Sequence, residues 1–144
     1  MFPDRVEMKT MVVHYAKLYF ATLFAFLCID AVWLGLVARG FYGRHLDALL
    51  KANPNWLAAL LFYLLFVAGV LVFVVVPAAQ HDSAKRAWVY GALFGLVTFA
   101  TYDLTNLATI KDWPLIVAIV DLTWGTSLGA ALSYIGFITD RWLH

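Results

Sequence analysis

The stretch WLAALLFYLLFVAGVLVFVVVPAA, from Trp56 to Ala79, contains no charged side chain. Wound as an α-helix at 1.5 Å per residue it is ~36 Å long. That is enough to cross a hydrocarbon layer of ~30 Å. The β-branched cluster from Val70 to Val76 does not turn the segment into a strand. Lipid cannot satisfy the backbone groups of an open strand, whereas a helix satisfies its own.

Three further runs have comparable length: Ala16 to Ala38, Lys85 to Asn106 and Pro114 to Thr139. The run from Leu18 to Ala38 is longer than the apolar core of a signal peptide, about 7–15 residues, and no small-x-small cleavage site follows it. It is therefore expected to be a retained helix. Hydrophobic residues make up 64% of the chain and charged residues 13%, against about 25% charged in soluble domains. The excess apolar surface must face lipid. These features predict an all-α integral membrane protein, a single four-transmembrane-helix bundle over residues 1–144 with spans near 16–38, 56–79, 85–106 and 114–139. A net charge of +1 offers no basic field to nucleic acid, so no nucleic-acid partner is expected.

The breaks between spans follow from local chemistry. Asn53-Pro54-Asn55 reads as a turn and helix start, Asp82 and Ser83 can cap the third span, and Asp112 can cap the fourth with Pro114 in its first turn. Pro77 marks the expected end of the second span. Met1 to Thr10 is mixed and polar, and is expected either to fray or to be an upstream extension before a second possible start at Met8. Arg39 to Asn55 is expected to lie on the membrane surface. Basic residues favour an N-in, C-in orientation by six (Arg5, Lys9, Lys17, Lys85, Arg86, Arg141) to four (Arg39, Arg44, Lys51, Lys111). Trp56, Trp88, Trp113 and Trp142 lie near span ends, as interface anchors do. Cys28, the one cysteine, rules out an internal disulfide and reads as a small buried hydrophobe. Gly91-x-x-x-Gly95 and Gly125-x-x-x-Gly129, followed by Ser133, let helices approach closely. Packing within the chain explains them best, and a homodimer remains open.

Three carboxylates interrupt apolar spans: Asp30, Asp103 and Asp121. Each costs about 2.5–3.5 kcal/mol at a span centre. Counted from the span centres, Asp30 and Asp103 lie ~5 Å and ~10 Å toward their helix ends, and Asp121 lies ~6 Å toward its helix start. The fourth span runs opposite to the first and third, so all three fall in one leaflet. Three residues beyond each stands a same-face partner: Trp33, Asn106 and Trp124. Tyr102, Thr105 and Thr123 add hydroxyls, and Arg39, Arg44, His45 and Lys111 are candidate counter-charges. Asp103 and Asn106 have a plainer reading as caps of a helix end, and the two tryptophans as packing anchors. The pattern Phe26-x-x-x-Asp30-x-x-Trp33-Leu34 is echoed in Phe99-x-x-x-Asp103-x-x-Asn106-Leu107, which suggests a weak duplication of helix pairs.

Asp30-x-x-Trp33, Phe62-Tyr63, Tyr102-Asp103-x-Thr105-Asn106, Trp113-Pro114 and Asp121-x-x-Trp124-Gly125 together resemble an uncharacterised family of small bacterial inner-membrane proteins, a domain of unknown function. The resemblance covers roughly Met8 to the C-terminus. It implies four helices and a bacterial inner-membrane, multi-pass location, and it supplies no reaction.

Carboxyls gathered out of water are costly to ionise together. Such a cluster can donate a proton, release one to an arriving cation, or bond a polar ligand. The first functional reading is therefore an intramembrane acidic and aromatic pocket that binds or transports a small apolar or cationic ligand through Asp30, Trp33, Tyr102, Asp103, Asn106, Asp121, Thr123 and Trp124. Small multidrug transporters are similar in architecture, with an acid in the first of four helices, but differ in length and motifs. A second reading is an enzyme using Asp30, Asp103 or Asp121 as acid and base on a lipid or isoprenoid substrate. A third is an accessory subunit whose polar groups only hold helices together. No Walker, Gly-x-Ser-x-Gly, His-Glu-x-x-His or haem-attachment motif is present. No cofactor is expected and no metal site is assigned. Membrane lipid is the expected surrounding partner.

Overall fold

The computed structural model describes residues 4–144. Within them lie four helices long and apolar enough to cross a membrane: α1, Arg5–Leu46; α2, Trp56–Gln80; α3, Ala84–Thr109; and α4, Leu115–Leu143. Large apolar side chains such as Phe24, Leu65 and Phe73 point outward, each about 70% exposed. In a water-soluble bundle these would form the core; here they meet lipid.

α1 departs furthest from expectation. Its 42 residues make a rod of ~63 Å, twice the hydrocarbon thickness. The segment expected to fray is helical from Arg5 onward, because the Asp4 carboxylate accepts hydrogen bonds from the backbone N–H groups of Val6 and Glu7, both at 2.8 Å. Residues 1–3 of that stretch lie outside the described residues. At the other end the helix passes through a π turn, Leu34–Ala38, and continues to Leu46. The predicted surface connection thus starts only after Leu46. Gly40 and Gly43 weaken the local helix signal, but Phe41, Tyr42 and Leu46 pack against Trp113 and Val117, and that burial holds the extension helical.

α2 starts as expected, with the Asn55 carboxamide oxygen accepting from the Ala58 N–H at 3.1 Å. It ends at Gln80, one residue past the expected 79, with Pro77 inside its last turn. Proline has no N–H to give the carbonyl four residues back and its ring crowds that carbonyl. A π turn over Leu71–Val75 widens the ladder just there, and the helix runs on to Gln80. Ser83 caps α3, accepting from the Arg86 N–H at 3.3 Å. Asp112 does not cap α4. It takes a left-handed conformation, φ 60°, and Pro114 occupies the cap position with no side-chain hydrogen bond.

α3 and α4 form the closest pair, and their glycines are the reason. A methyl added to Gly129 would sit 2.9 Å from the Gly95 Cα, and one added to Gly95 would collide with the Gly125 carbonyl. The small-residue stripe is therefore used backbone to backbone inside the chain. Beside it lies an apolar core containing Leu18, Phe26, Phe66, Val67, Leu128 and Leu132. Two expectations about single side chains fail. Cys28 is exposed on the outer surface of α1. Trp113 is buried under the α1 extension, while Trp56, Trp88 and Trp142 are exposed as interface anchors should be.

Candidate functional site

Asp30, Trp33 and Tyr42 of α1, Phe62 of α2, Phe99 and Tyr102 of α3, and Asp121 and Trp124 of α4 line one groove of about 220 Å³. Phe26 and Leu34 complete its apolar wall. Trp33 and Trp124 stack face to face, ring centroids 4.2 Å apart and planes 7° apart. They form a single double-layered wall. All four residues of the first echoed set, Phe26, Asp30, Trp33 and Leu34, line this groove, but of the second set only Phe99 does.

The carboxylates are served by tyrosines. The Tyr63 hydroxyl donates to Asp30, and the Tyr42 hydroxyl donates to Asp121. Neither tyrosine was among the candidate site residues. Tyr63 was findable, since no other side chain in the Trp56–Ala79 run both donates and is not an anchor at its end. Tyr42 was hidden in the segment taken for a surface connection. Among the described residues the ion pairs join His14 and His144 to Asp140 and Arg141 to Asp82. The expected counter-charges Arg39, Arg44, His45 and Lys111 do not reach the three acids, and His45 bonds the Phe41 carbonyl at 2.8 Å.

Asp103 is the most confined of the three, with 0% of its surface exposed. It is no helix cap, because α3 continues to Thr109. Among the described residues neither of its carboxyl oxygens meets a donor. Its carboxyl lies within hydrogen-bond reach of that of Asp121. Two ionised carboxylates have only acceptor atoms. The contact therefore closes only through a hydrogen that one acid carries or that a ligand brings. Trp113, edge-on to Tyr102 at 5.9 Å, likewise has a buried indole N–H without an acceptor.

The remaining candidates divide. Asn106 is half-buried and sits by the Tyr102 hydroxyl one turn earlier. Thr123 is exposed and its hydroxyl bonds the Ile119 carbonyl of its own helix at 2.8 Å. Thr105 does the same toward the Tyr102 carbonyl at 2.9 Å. A transmembrane threonine can satisfy its hydroxyl locally, and these two do so, away from the groove.

The family model described as predicted membrane protein (DUF2177) matches residues 15–138. The chain belongs to the DUF2177 family. The matched stretch contains every residue that lines the groove. The membrane character of the DUF2177 family agrees with the four spans, so this is a multi-pass membrane protein. No curated protein and no solved structure matches the chain.

Proposed function

We propose that this DUF2177 protein binds a small cationic or apolar-cationic ligand in the groove between its helices, within one leaflet of a bacterial inner membrane. The observation that carries the reading is Asp103: a fully buried carboxyl with no donor, facing a second carboxyl. A buried polar group without a partner is expensive, and buried charges are paired or neutralised. An ammonium placed at Asp121 supplies the missing charge, and the faces of Trp33 or Trp124 and of Tyr102 attract the same cation. The groove volume, about 220 Å³, is below the usual ~300–1,000 Å³ of drug-sized sites. It suits a small amine or the head of a longer amphiphile, entering from the lipid side. Whether the ligand then moves across the membrane depends on proton exchange at the acid pair. The basic-residue bias supports an N-in orientation, which puts the groove in the outer leaflet.

The test uses the full chain in lipid nanodiscs. Benzyltrimethylammonium and its uncharged carbon isostere neopentylbenzene are titrated while tryptophan emission is followed. The cation should bind at least tenfold more tightly than the isostere. Asp121→Asn should remove that preference. Equal affinity for the two probes, or a preference unchanged by Asp121→Asn, overturns the proposal.

A further inference from the structure

At the opposite end of the bundle a second constellation draws on α1 and α4. Asp140 lies in the last turn of α4, His144 caps that helix four residues on, and His14 reaches them from α1. The His14 Nε2 is 2.7 Å from Asp140 Oδ1, and the His144 Nε2 is 3.9 Å from Asp140 Oδ2. The two imidazole rings lie 4.4 Å apart, tilted by 38°. One donor atom from each of the three residues falls within a sphere of mutual distances no greater than 4.8 Å. All three residues lie outside the stretch 15–138 that matches the family, so membership gives no expectation about them.

We propose that His14, Asp140 and His144 bind a divalent first-row transition ion of the zinc type. Two imidazoles and one carboxylate are borderline donors that suit such ions better than magnesium or calcium. Metal–ligand bonds of 2.0–2.2 Å place tetrahedral ligand atoms about 3.3–3.5 Å apart. The His14 and His144 nitrogens approach different oxygens of Asp140, at 2.7 Å and 3.9 Å, and one ligand atom from each residue lies within 4.8 Å of the others, so side-chain rotations of about an ångström close the set. Other groups leave the site to its three ligands. Arg141, the neighbouring base, is engaged with Asp82 at 2.9 Å. Tyr15 stands edge-on to the His14 ring at 5.2 Å. A cavity of about 320 Å³, which reaches Tyr15 and Gln80, opens beside Asp140 and His144 and leaves room for a water in the fourth position. On binding, each imidazole gives its Nε2 lone pair to the ion, and the neutral His14 ring carries its one hydrogen on Nδ1 instead of sharing it with Asp140. The bound ion ties the start of α1 to the end of α4.

The test uses the full chain, carrying no polyhistidine tag, treated with a chelator and titrated with Co²⁺ in detergent. The visible ligand-field bands of cobalt report the site. One cobalt per chain should bind, be displaced by Zn²⁺, and resist a large excess of Mg²⁺. His144 is exposed, with 70% of its side-chain surface free, so His144→Ala leaves the helix packing intact. It should weaken cobalt binding by at least about tenfold, the lower end of what even outer-shell partners contribute. His14→Ala and Asp140→Asn should weaken it further, and His45→Ala, at the far end of the bundle, should not. Absence of stoichiometric binding, or an affinity and spectrum unmoved by His144→Ala, overturns the proposal.

Discussion

Asp103→Asn should make the folded bundle more stable while weakening the ligand groove. In the native chain the Asp103 carboxyl is fully buried, meets no donor and faces Asp121. Asparagine has nearly the same shape, carries no charge and offers an N–H₂ to the Asp121 oxygens. Relief of an orphaned buried polar group is worth about 1–3 kcal/mol. A new interhelical hydrogen bond in a membrane is worth about 0.6–2 kcal/mol. These describe largely the same contact and do not add, so the expected gain is ~1–3 kcal/mol, or ~5–150-fold in the folding equilibrium. Reversible unfolding in mixed detergent–SDS micelles, followed by tryptophan emission and helical circular dichroism, measures it. The same protein should show a weaker preference for benzyltrimethylammonium over neopentylbenzene, because Asp121 on the groove keeps its charge while its buried neighbour is neutral. A gain in stability with a weakened preference marks a residue kept for function at a cost to the fold. A destabilisation, or no change, would show that Asp103 already has a satisfied partner, and the reasoning from its isolation would be refuted.

Gly129→Ala should destabilise the protein by about 1–3 kcal/mol or more, as overpacking does, because the added methyl meets the backbone of Gly95; the same SDS titration reads it. Tyr42→Phe should cost about 0.6–2 kcal/mol, the range of a single interhelical hydrogen bond in a membrane, since it removes the donor to Asp121. The control is Tyr15→Phe, which removes a hydroxyl remote from the groove and should leave the unfolding midpoint unchanged.

Much of the architecture was legible because membrane insertion depends on composition and length, which are local properties. Four apolar runs, each long enough to span, and the lack of any alternative for open strands in lipid decided the fold class. Counting residues along each helix put the three acids at similar depth, and the structure sets Asp30 and Asp121 on one groove with Asp103 beside Asp121. Helix ends were less legible. The α1 extension past Ala38 rests on Phe41, Tyr42 and Leu46 meeting Trp113 and Val117, a contact between segments about 70 residues apart in sequence, as long-range packing overrides weak local propensity. The passage of α2 through Pro77 likewise depends on a π turn that no residue type announces.

The sequence by itself determined a membrane bundle whose spans carry three acids, because hydrophobic thickness and helical rise are the same for every helix. The tertiary structure alone decided how those acids are partnered. Helix rotation and crossing geometry turned Tyr42 and Tyr63 toward Asp121 and Asp30, left Asp103 without a donor, stacked Trp33 on Trp124, and sent Thr123 outward. Rotation about a helix axis is set by side-chain packing across helices, here chiefly by the backbone contact of Gly91 and Gly95 with Gly125 and Gly129, and a one-dimensional pattern does not carry it.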